Sequence, residues 1–518
     1  MYKAKKARRS IWIRTVLFVS LLILFSGCSN EDNSKDSKSK ENKDTAKAQS
    51  RNIVVAIPQD PDFLDPHLAE AAGTREVLFN VFEGLLKPTE TGELANALAE
   101  DYKVSDDGLT YTFKLRKNVE FHDGKTFSAK DVQYSYERLA GTKTGKPLSS
   151  SFSNVASIEA PDDSTVVIKL KENEAFFPVA VTAPVIPDGY EDSNKKPIGT
   201  GPFKFVEYAP NQKLVLEKHD KYYAGLPEVE KVEFRILPDQ EAAFLAFQAG
   251  EIDIYPRIGT EKQEQLGDGF TSVSSPQNLI QLLALNHDKK PFNDEKVRKA
   301  LFYAVNTDEL IQGVALGKGT KVRSNMSPIM DKFYEKNLEG TYAYDPEKAK
   351  KLLAEAGYPD GFKLKITVPS NYQFHVDTAQ VIVEQLSQVG VKADIELVEW
   401  SVWLEEVYKK RNYETTIIGL DGKLDPYQIL DKYLSTADNN FFNYRNPKFD
   451  KVLGAARTEK DEAKRVSYIK DAQRILNEDA AAVYIMDPNT NISFKSGLDN
   501  YKLYPIYVQD ISAITFKK

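Results

Sequence analysis

The chain is poor in the residues that carry covalent and metal chemistry. Its 518 residues include one cysteine, three tryptophans, four methionines and five histidines. A single cysteine excludes an intramolecular disulfide and a cysteine-based zinc site. The histidines, His67, His122, His219, His287 and His375, are scattered. No two stand at i, i+4, and there is no His-Glu-x-x-His, so each reads as a lone hydrogen-bonding side chain. No Gly-x-Ser-x-Gly elbow is present. Residues 141–146 (GTKTGK) are one residue short of a phosphate loop, and Pro147 stands where a Ser or Thr would hold Mg²⁺. Positive charge is in deficit too: a net charge of -7 argues against a nucleic-acid partner. The reading is therefore of a non-enzyme without cofactor or metal. Carboxylates are abundant, which leaves a secreted hydrolase with a cleft pair as a remote alternative.

What is present is ordinary in bulk, with 41% hydrophobic and 28% charged residues. The 26 Tyr and 27 Phe suit cores or ligand clefts. A chain of this length can bury enough surface to fold outside the cell without disulfides. Lys3, Lys5, Lys6, Arg8, Arg9 and Arg14 form a basic head with no acidic residue. An apolar run over 15–25 follows, shorter than the roughly 20 residues of a spanning helix, so it reads as a signal peptide. Ser26-Gly27-Cys28 then resembles a bacterial lipobox, with Phe25 where that pattern prefers Leu. The resemblance makes residues 1–28 a lipoprotein leader and Cys28 the diacylated residue. A plain secretory signal is the alternative. Residues 29–50 are Ser, Asn, Asp, Glu and Lys without an aromatic, a composition that cannot fold and serves as a tether.

Beyond residue 50 the pattern alternates. Strands are predicted at 52–57, 109–115, 165–170, 214–216, 232–237 and 251–255. Helices are predicted over 75–86, from Ser128, and over 241–250. In the second half Asp345-Pro346-Glu347 opens a helix that Gly357 stops. Strand 362–368, helix 375–389 and strand 391–398 then imply a right-handed parallel crossover. The class is α/β with mixed sheets.

Residues 98–139, LAEDYKVSDDGLTYTFKLRKNVEFHDGKTFSAKDVQYSYERL, resemble the characteristic segment of the family 5 bacterial extracellular solute-binding proteins. DPHL (65–68), VFEGLL (81–86), IGTGPFKF (198–205), GEIDI (250–254), LNHDKKPFNDEKVRKALFYAVN (285–306), DPEKAKKLLAEAGYPDG (345–361) and NYRNPKFDKVL (443–453) follow in the family's order. These are the oligopeptide-, dipeptide- and nickel-binding receptors of ABC importers. The resemblance implies a two-lobed, hinged periplasmic-binding-protein-like fold that closes over its ligand. Lobe I would be 51–88, 186–275 and 487–518, an inserted subdomain 89–185, and lobe II 276–486. It implies a lipid-anchored receptor on the extracytoplasmic face of the cell membrane. The receptor would act as a monomer and hand peptides to permease and ATPase subunits. In such receptors a carboxylate meets the ligand's amino terminus. The matching segment GLDGKLDPYQIL (419–430) offers Asp421, with Asp425 as runner-up. A turn cap is the competing role for Asp421. Dipeptide receptors clamp the ligand carboxylate with a lobe II Arg. No Arg lies between Arg323 and Arg411, which favours longer peptides, and Arg257, Arg323 and Arg445 remain candidates. Gly73 and Thr74 follow the DPHL landmark, where the family approaches its ligand. Trp400 and Tyr427 are candidate pocket walls, with core packing the competing role for Trp403. A receptor for nickel or a metal–chelator complex is the alternative within this fold.

Overall fold

The structure, a computed structural model, describes residues 51–69 and 71–517. Cys28, the leader and the tether lie outside the described residues. Among the described residues no helix is long and apolar enough to cross a membrane.

Strand β1 (Asn52–Ile57) buries Val55, Ala56 and Ile57 in succession, as a strand covered on both faces must. Its sheet also holds β2 (Phe203–Ala209), β3 (Lys213–Lys218), β4 (Lys231–Ile236) and β5 (Ile254–Pro256). β1 lies between β4 and β5 and runs parallel to both. The sheet continues through β6 (Phe270–Pro276), β7 (Leu279–Leu285), β8 (Lys363–Pro369), β9 (Lys392–Val398), β10 (Thr415–Asp421) and β11 (Ala482–Lys495). Its order is β9-β8-β10-β7-β11-β5-β1-β4-β3-β2, with β6 paired to β11 off that path.

The described residues form three main cores, two of them along this sheet. Ile53, Val55, Leu78, Phe82, Phe234, Ile492 and Phe494 share one. Leu85, Phe113, Val132, Tyr136 and Ile168 fill a second, over a separate four-stranded antiparallel sheet. The third runs from Ile280 to Met486 in sequence and takes in Phe176 from outside that span.

The predicted helix over 75–86 is not one helix. Helix α1 (Ala72–Leu78) stops at Leu78. The Asn80 amide donates to the Val77 and Gln509 carbonyls and turns the chain. The spacing of Leu78, Phe82 and Leu85 is burial in two different cores rather than one helix face.

The parallel crossover is present: β8 and β9 pair in parallel over seven residues, joined by helix α2 (Gln373–Ser387). β10 also runs parallel to β8, through Thr415 and Thr416. The carboxyl ends of β8, β9 and β10 therefore open on one side of the sheet, where open α/β sheets place their ligand crevice.

The chain passes twice between the two halves of the sheet, between β6 and β7 and within β11. The first half of β11 pairs with β7 and the second half with β6 and β5. Asp487 sits between the halves and is fully buried. Its carboxylate accepts the N–H groups of Gln277 (2.9 Å), Asn278 (3.0 Å) and Leu279 (3.3 Å), and the Ser327 hydroxyl. One side chain thus ties the two crossings together.

Candidate functional site

β10 ends beside the hinge. Asp421 pairs with Leu279, and the next residue, Gly422, donates its N–H to the Asn278 carbonyl at 2.6 Å. A Cβ on Gly422 would stand 1.9 Å from the Asn278 side chain, so only glycine permits this approach. The Asp-Gly pair is therefore a packing requirement, and the Asp421 carboxylate caps no turn.

Asp421 is solvent-accessible, yet surrounding protein raises its pKa through burial, partly offset by Lys432. Accessible to water and hemmed in by protein, it has the setting of a cleft floor. Among the described residues its side chain has no ion pair within 4.0 Å and no hydrogen-bond donor. Tyr507, from the C-terminal segment, feels its charge across the hinge and accepts a hydrogen bond from the Gln277 side chain at 3.1 Å.

β10 also has a stretch of edge without a strand partner. Its pairing with β8 stops at Thr416. Backbone groups alternate sides along a strand. The Gly419 N–H points away from β7, to His375 Nε2 at 3.1 Å. The Gly419 carbonyl and Asp421 N–H share that side. His375 Nδ1 lies 2.9 Å from the Gln281 amide, and burial pulls the imidazole pKa down to about 4, so it is neutral at pH 7. Trp400, half-buried at the end of β9, stacks on Trp403 at 5.1 Å and meets the edge of Tyr372 at 5.3 Å. Trp403 belongs to the core: it is 2% exposed and its indole N–H donates to Thr416 Oγ1.

Several residues singled out from the sequence have other duties. Asp425 is 2% exposed and accepts the Tyr427 and Gln428 N–H groups as the cap of helix α3 (Pro426–Leu430). Burial pushes its carboxyl up to about 7. Tyr427 stacks on Phe176 at 6.4 Å with Arg457 over its ring, and the Ala175 N–H donates to the Arg457 carbonyl. It joins the segment around Phe176 to the helix that carries Arg457. Arg445 pairs with Asp288, beyond Leu285 at the opposite end of β7 from Leu279. Six residues of strand at about 3.3 Å each put it roughly 20 Å from the Asp421 end. Arg323 is 3% exposed and spends its guanidinium on the Thr341, Val322 and Tyr484 carbonyls and the Thr307 hydroxyl.

Arg257 does reach the hinge. Its Nη1 donates to both Glu76 oxygens, at 2.7 and 2.9 Å, and its guanidinium lies 5.9 Å from the Tyr507 ring centre. Glu76 already neutralises it, so it is not a free clamp. Thr74 is buried and its hydroxyl accepts the Asp62 N–H. A Cβ on Gly73 would meet only the Gln59 side chain, at ordinary contact distance.

Lys432 is the residue that sequence reasoning missed. It follows α3 on the turn Asp431–Tyr433. Burial lowers its pKa to about 8, while Asp431 and Asp421 act to raise it. Among the described residues it has no ion pair and no side-chain hydrogen bond. The run Asp421, Lys423, Asp425, Asp431, Lys432 concentrates charge in one short segment. No group of three or more His, Cys, Asp or Glu among the described residues is placed to hold a metal ion.

Residues 93–441 match the family model of bacterial extracellular solute-binding proteins, family 5. The chain is 28% identical to the oligopeptide-binding protein AppA of Bacillus subtilis, across 97% of both chains. It is 31% identical to the glutathione-binding protein GsiB of Pectobacterium atrosepticum, across 84% of this chain and 88% of that one. It superposes with a TM-score of 0.73 and 29% identity on the ABC transporter-associated periplasmic binding protein DppA of Helicobacter pylori in complex with the peptide STSA, covering 90% of this chain and 98% of that one.

Proposed function

The chain belongs to the bacterial extracellular solute-binding proteins of family 5, and from that membership we propose that it captures peptides between its lobes for an ABC importer. The observation that carries this reading is Asp421: a carboxylate without a partner, at the end of a strand whose edge is open. A peptide buried in a cleft must have its N–H and C=O groups satisfied. Pairing with the free edge of β10 does so without reading side chains. The peptide ammonium then meets Asp421. Trp400 and Tyr372 wall the cleft at the ends of β8 and β9. Closure brings the lobe I surface around Tyr507 and the Arg257–Glu76 pair onto the other side of the ligand. Ligand touching both lobes stabilises the closed form by its difference in affinity for the two states. Longer peptides are favoured because no free arginine stands ready for a dipeptide carboxylate. Cys28 carries the lipid that holds the receptor at the membrane, and two acyl chains make such anchoring stable.

Calorimetry with a mixed peptide pool tests the reading. Asp421→Ala removes a charge-assisted contact worth about 1.5–3 kcal/mol, so affinity falls roughly 10- to 100-fold. Arg445→Ala, at the far end of the strand, leaves affinity unchanged. Equal binding by parent and Asp421→Ala rejects the amino anchor.

A further inference from the structure

Phe176 and Phe177 are neighbours in sequence that belong to different cores. Phe177 is buried with Leu85, Phe113, Tyr136 and Val181, whereas Phe176 is 7% exposed in the core of β7, β8, β10 and β11. The Phe176 ring centre lies 6.4 Å from those of Tyr427 and Phe333, and 5.5 Å from the Arg465 guanidinium. Main-chain contacts seal the ring in. The Ala175 N–H donates to the Arg457 carbonyl at 2.8 Å, and the Asn173 amide to the Thr458 carbonyl at 2.9 Å. Arg457 and Thr458 end helix α4 (Pro447–Thr458), and Arg465 stands on helix α5 (Glu462–Glu478). On the Phe177 side, backbone bonds join the other two cores into one body. The N–H groups of Leu85, Gly201 and Phe203 donate to the carbonyls of Val181, Val81 and Asn80 at 2.9, 3.0 and 3.0 Å. Phe176 is therefore a knob of one body in a socket of the other. A train of contacts leads from the socket to the hinge. Lys332, next to the socket wall Phe333, reaches Glu93 at 3.3 Å. A Cβ on Gly92 would stand 2.9 Å from Met330 Sδ and 3.3 Å from Pro505. The Pro505 carbonyl accepts the Asn278 amide at 2.7 Å, and the Asn278 N–H goes to Asp487.

We propose that Phe176 is the second bearing of the closing motion: the two bodies turn about a line from Asp487 to Phe176, and the ring keeps its socket in the open and closed forms. The inference rests on the closing receptor proposed above and adds the axis of its motion. Withdrawing the ring would expose it to water and leave an apolar cavity that water does not fill. It would also strip partners from the Ala175 N–H and the Arg457 carbonyl. The crossings at Asp487 are continuous chain and cannot part. In a rigid rotation, points on the axis stay in contact and points away from it sweep in proportion to their distance. Two contacts that persist fix one line, so closure about that line breaks nothing at the socket. The Lys332–Glu93 pair joins two long side chains at the surface, which follow a small displacement. Asp421 pairs with Leu279, whose N–H goes to Asp487, so the amino anchor stands beside one end of the axis.

Spin labels at Glu172→Cys and Lys460→Cys, in a Cys28→Ala chain, flank the socket at exposed positions. Pulsed electron paramagnetic resonance reads their separation, and small-angle scattering reads closure, each with and without a saturating peptide pool. The radius of gyration should fall on adding peptide while the label separation changes by less than about 2 Å, the scale that divides a fixed contact from a hinge displacement. A larger change that accompanies compaction overturns the bearing and leaves closure standing. A radius of gyration that does not fall overturns both. Phe176→Ala empties the socket and leaves the chain crossings intact. It should broaden the spread of label distances in the free protein, and Phe176→Leu should keep the spread narrow. Equal spread in the parent and Phe176→Ala shows that the ring does not hold the bodies together, and overturns the proposal.

Discussion

Asp487→Asn is the sharpest probe of the hinge, because the consequence of its charge can be worked out in sign and size. Burial raises the Asp487 carboxyl from 3.8 to about 6, against the lowering effect of Ser327 and the three backbone N–H groups. In the unfolded chain the same group titrates near its ordinary value. As pH rises through the interval from about 4 to 6, the unfolded chain releases this proton first. The folded state holds more protons there, so stability falls with rising pH. A difference of roughly two pH decades at 1.36 kcal/mol each gives about 3 kcal/mol over the full interval, and about 2 kcal/mol between pH 4.5 and 7. Asparagine has no such proton. It also turns an N–H₂ toward the Asn278 N–H, which costs about 1–3 kcal/mol at every pH. The stability of Asp487→Asn relative to the parent should therefore improve by about 2 kcal/mol as pH rises from 4.5 to 7. Urea denaturation at several pH values measures this. Trp400 and Trp403, the tryptophans of the described chain, both report on lobe II, which the hinge borders. A difference between parent and variant that stays flat with pH, or that moves the other way, refutes the reasoning.

Arg257→Met strands Glu76, which is 2% exposed, with only Gln509 as a side-chain donor. Breaking a buried pair by one partner should lower stability by about 3 kcal/mol in urea denaturation, and the double change with Glu76→Gln should restore most of it. Cys28→Ala should release the protein from the membrane fraction into the medium, as fractionation and immunoblotting would show; unaltered membrane retention would reject the lipid anchor.

Local signals were the legible part of the sequence. Asp345-Pro346 and the Ser128–Asp131 capping box stand where they should, because a cap is decided by side chains a few residues apart. The β8–α2–β9 crossover follows from periodicity alone and is present within two residues at each end. The stretch over 75–86 misled because one spacing served two cores. Asp421 could be named from its segment. What separates it from Asp425, a free carboxylate against a helix cap, depends on where α3 begins. Arg257 and Arg445 could be named but not placed, since Glu76 and Asp288 lie far from them in sequence. Asp487 gave no warning. Its role arises from backbone groups some 210 residues away in sequence, which leave no local pattern.

The fourteen residues of β11 complete both halves of the molecule. Residues 482–486 close the lobe II sheet against β7, and 489–495 close the lobe I sheet against β5 and β6. A chain emerging N-terminus first exposes the Ile53, Val55 and Phe234 surface long before Ile492 and Phe494 arrive to cover it. A truncated product that ends before β11 leaves neither sheet finished, so premature termination yields substrates for proteases rather than a half-working receptor.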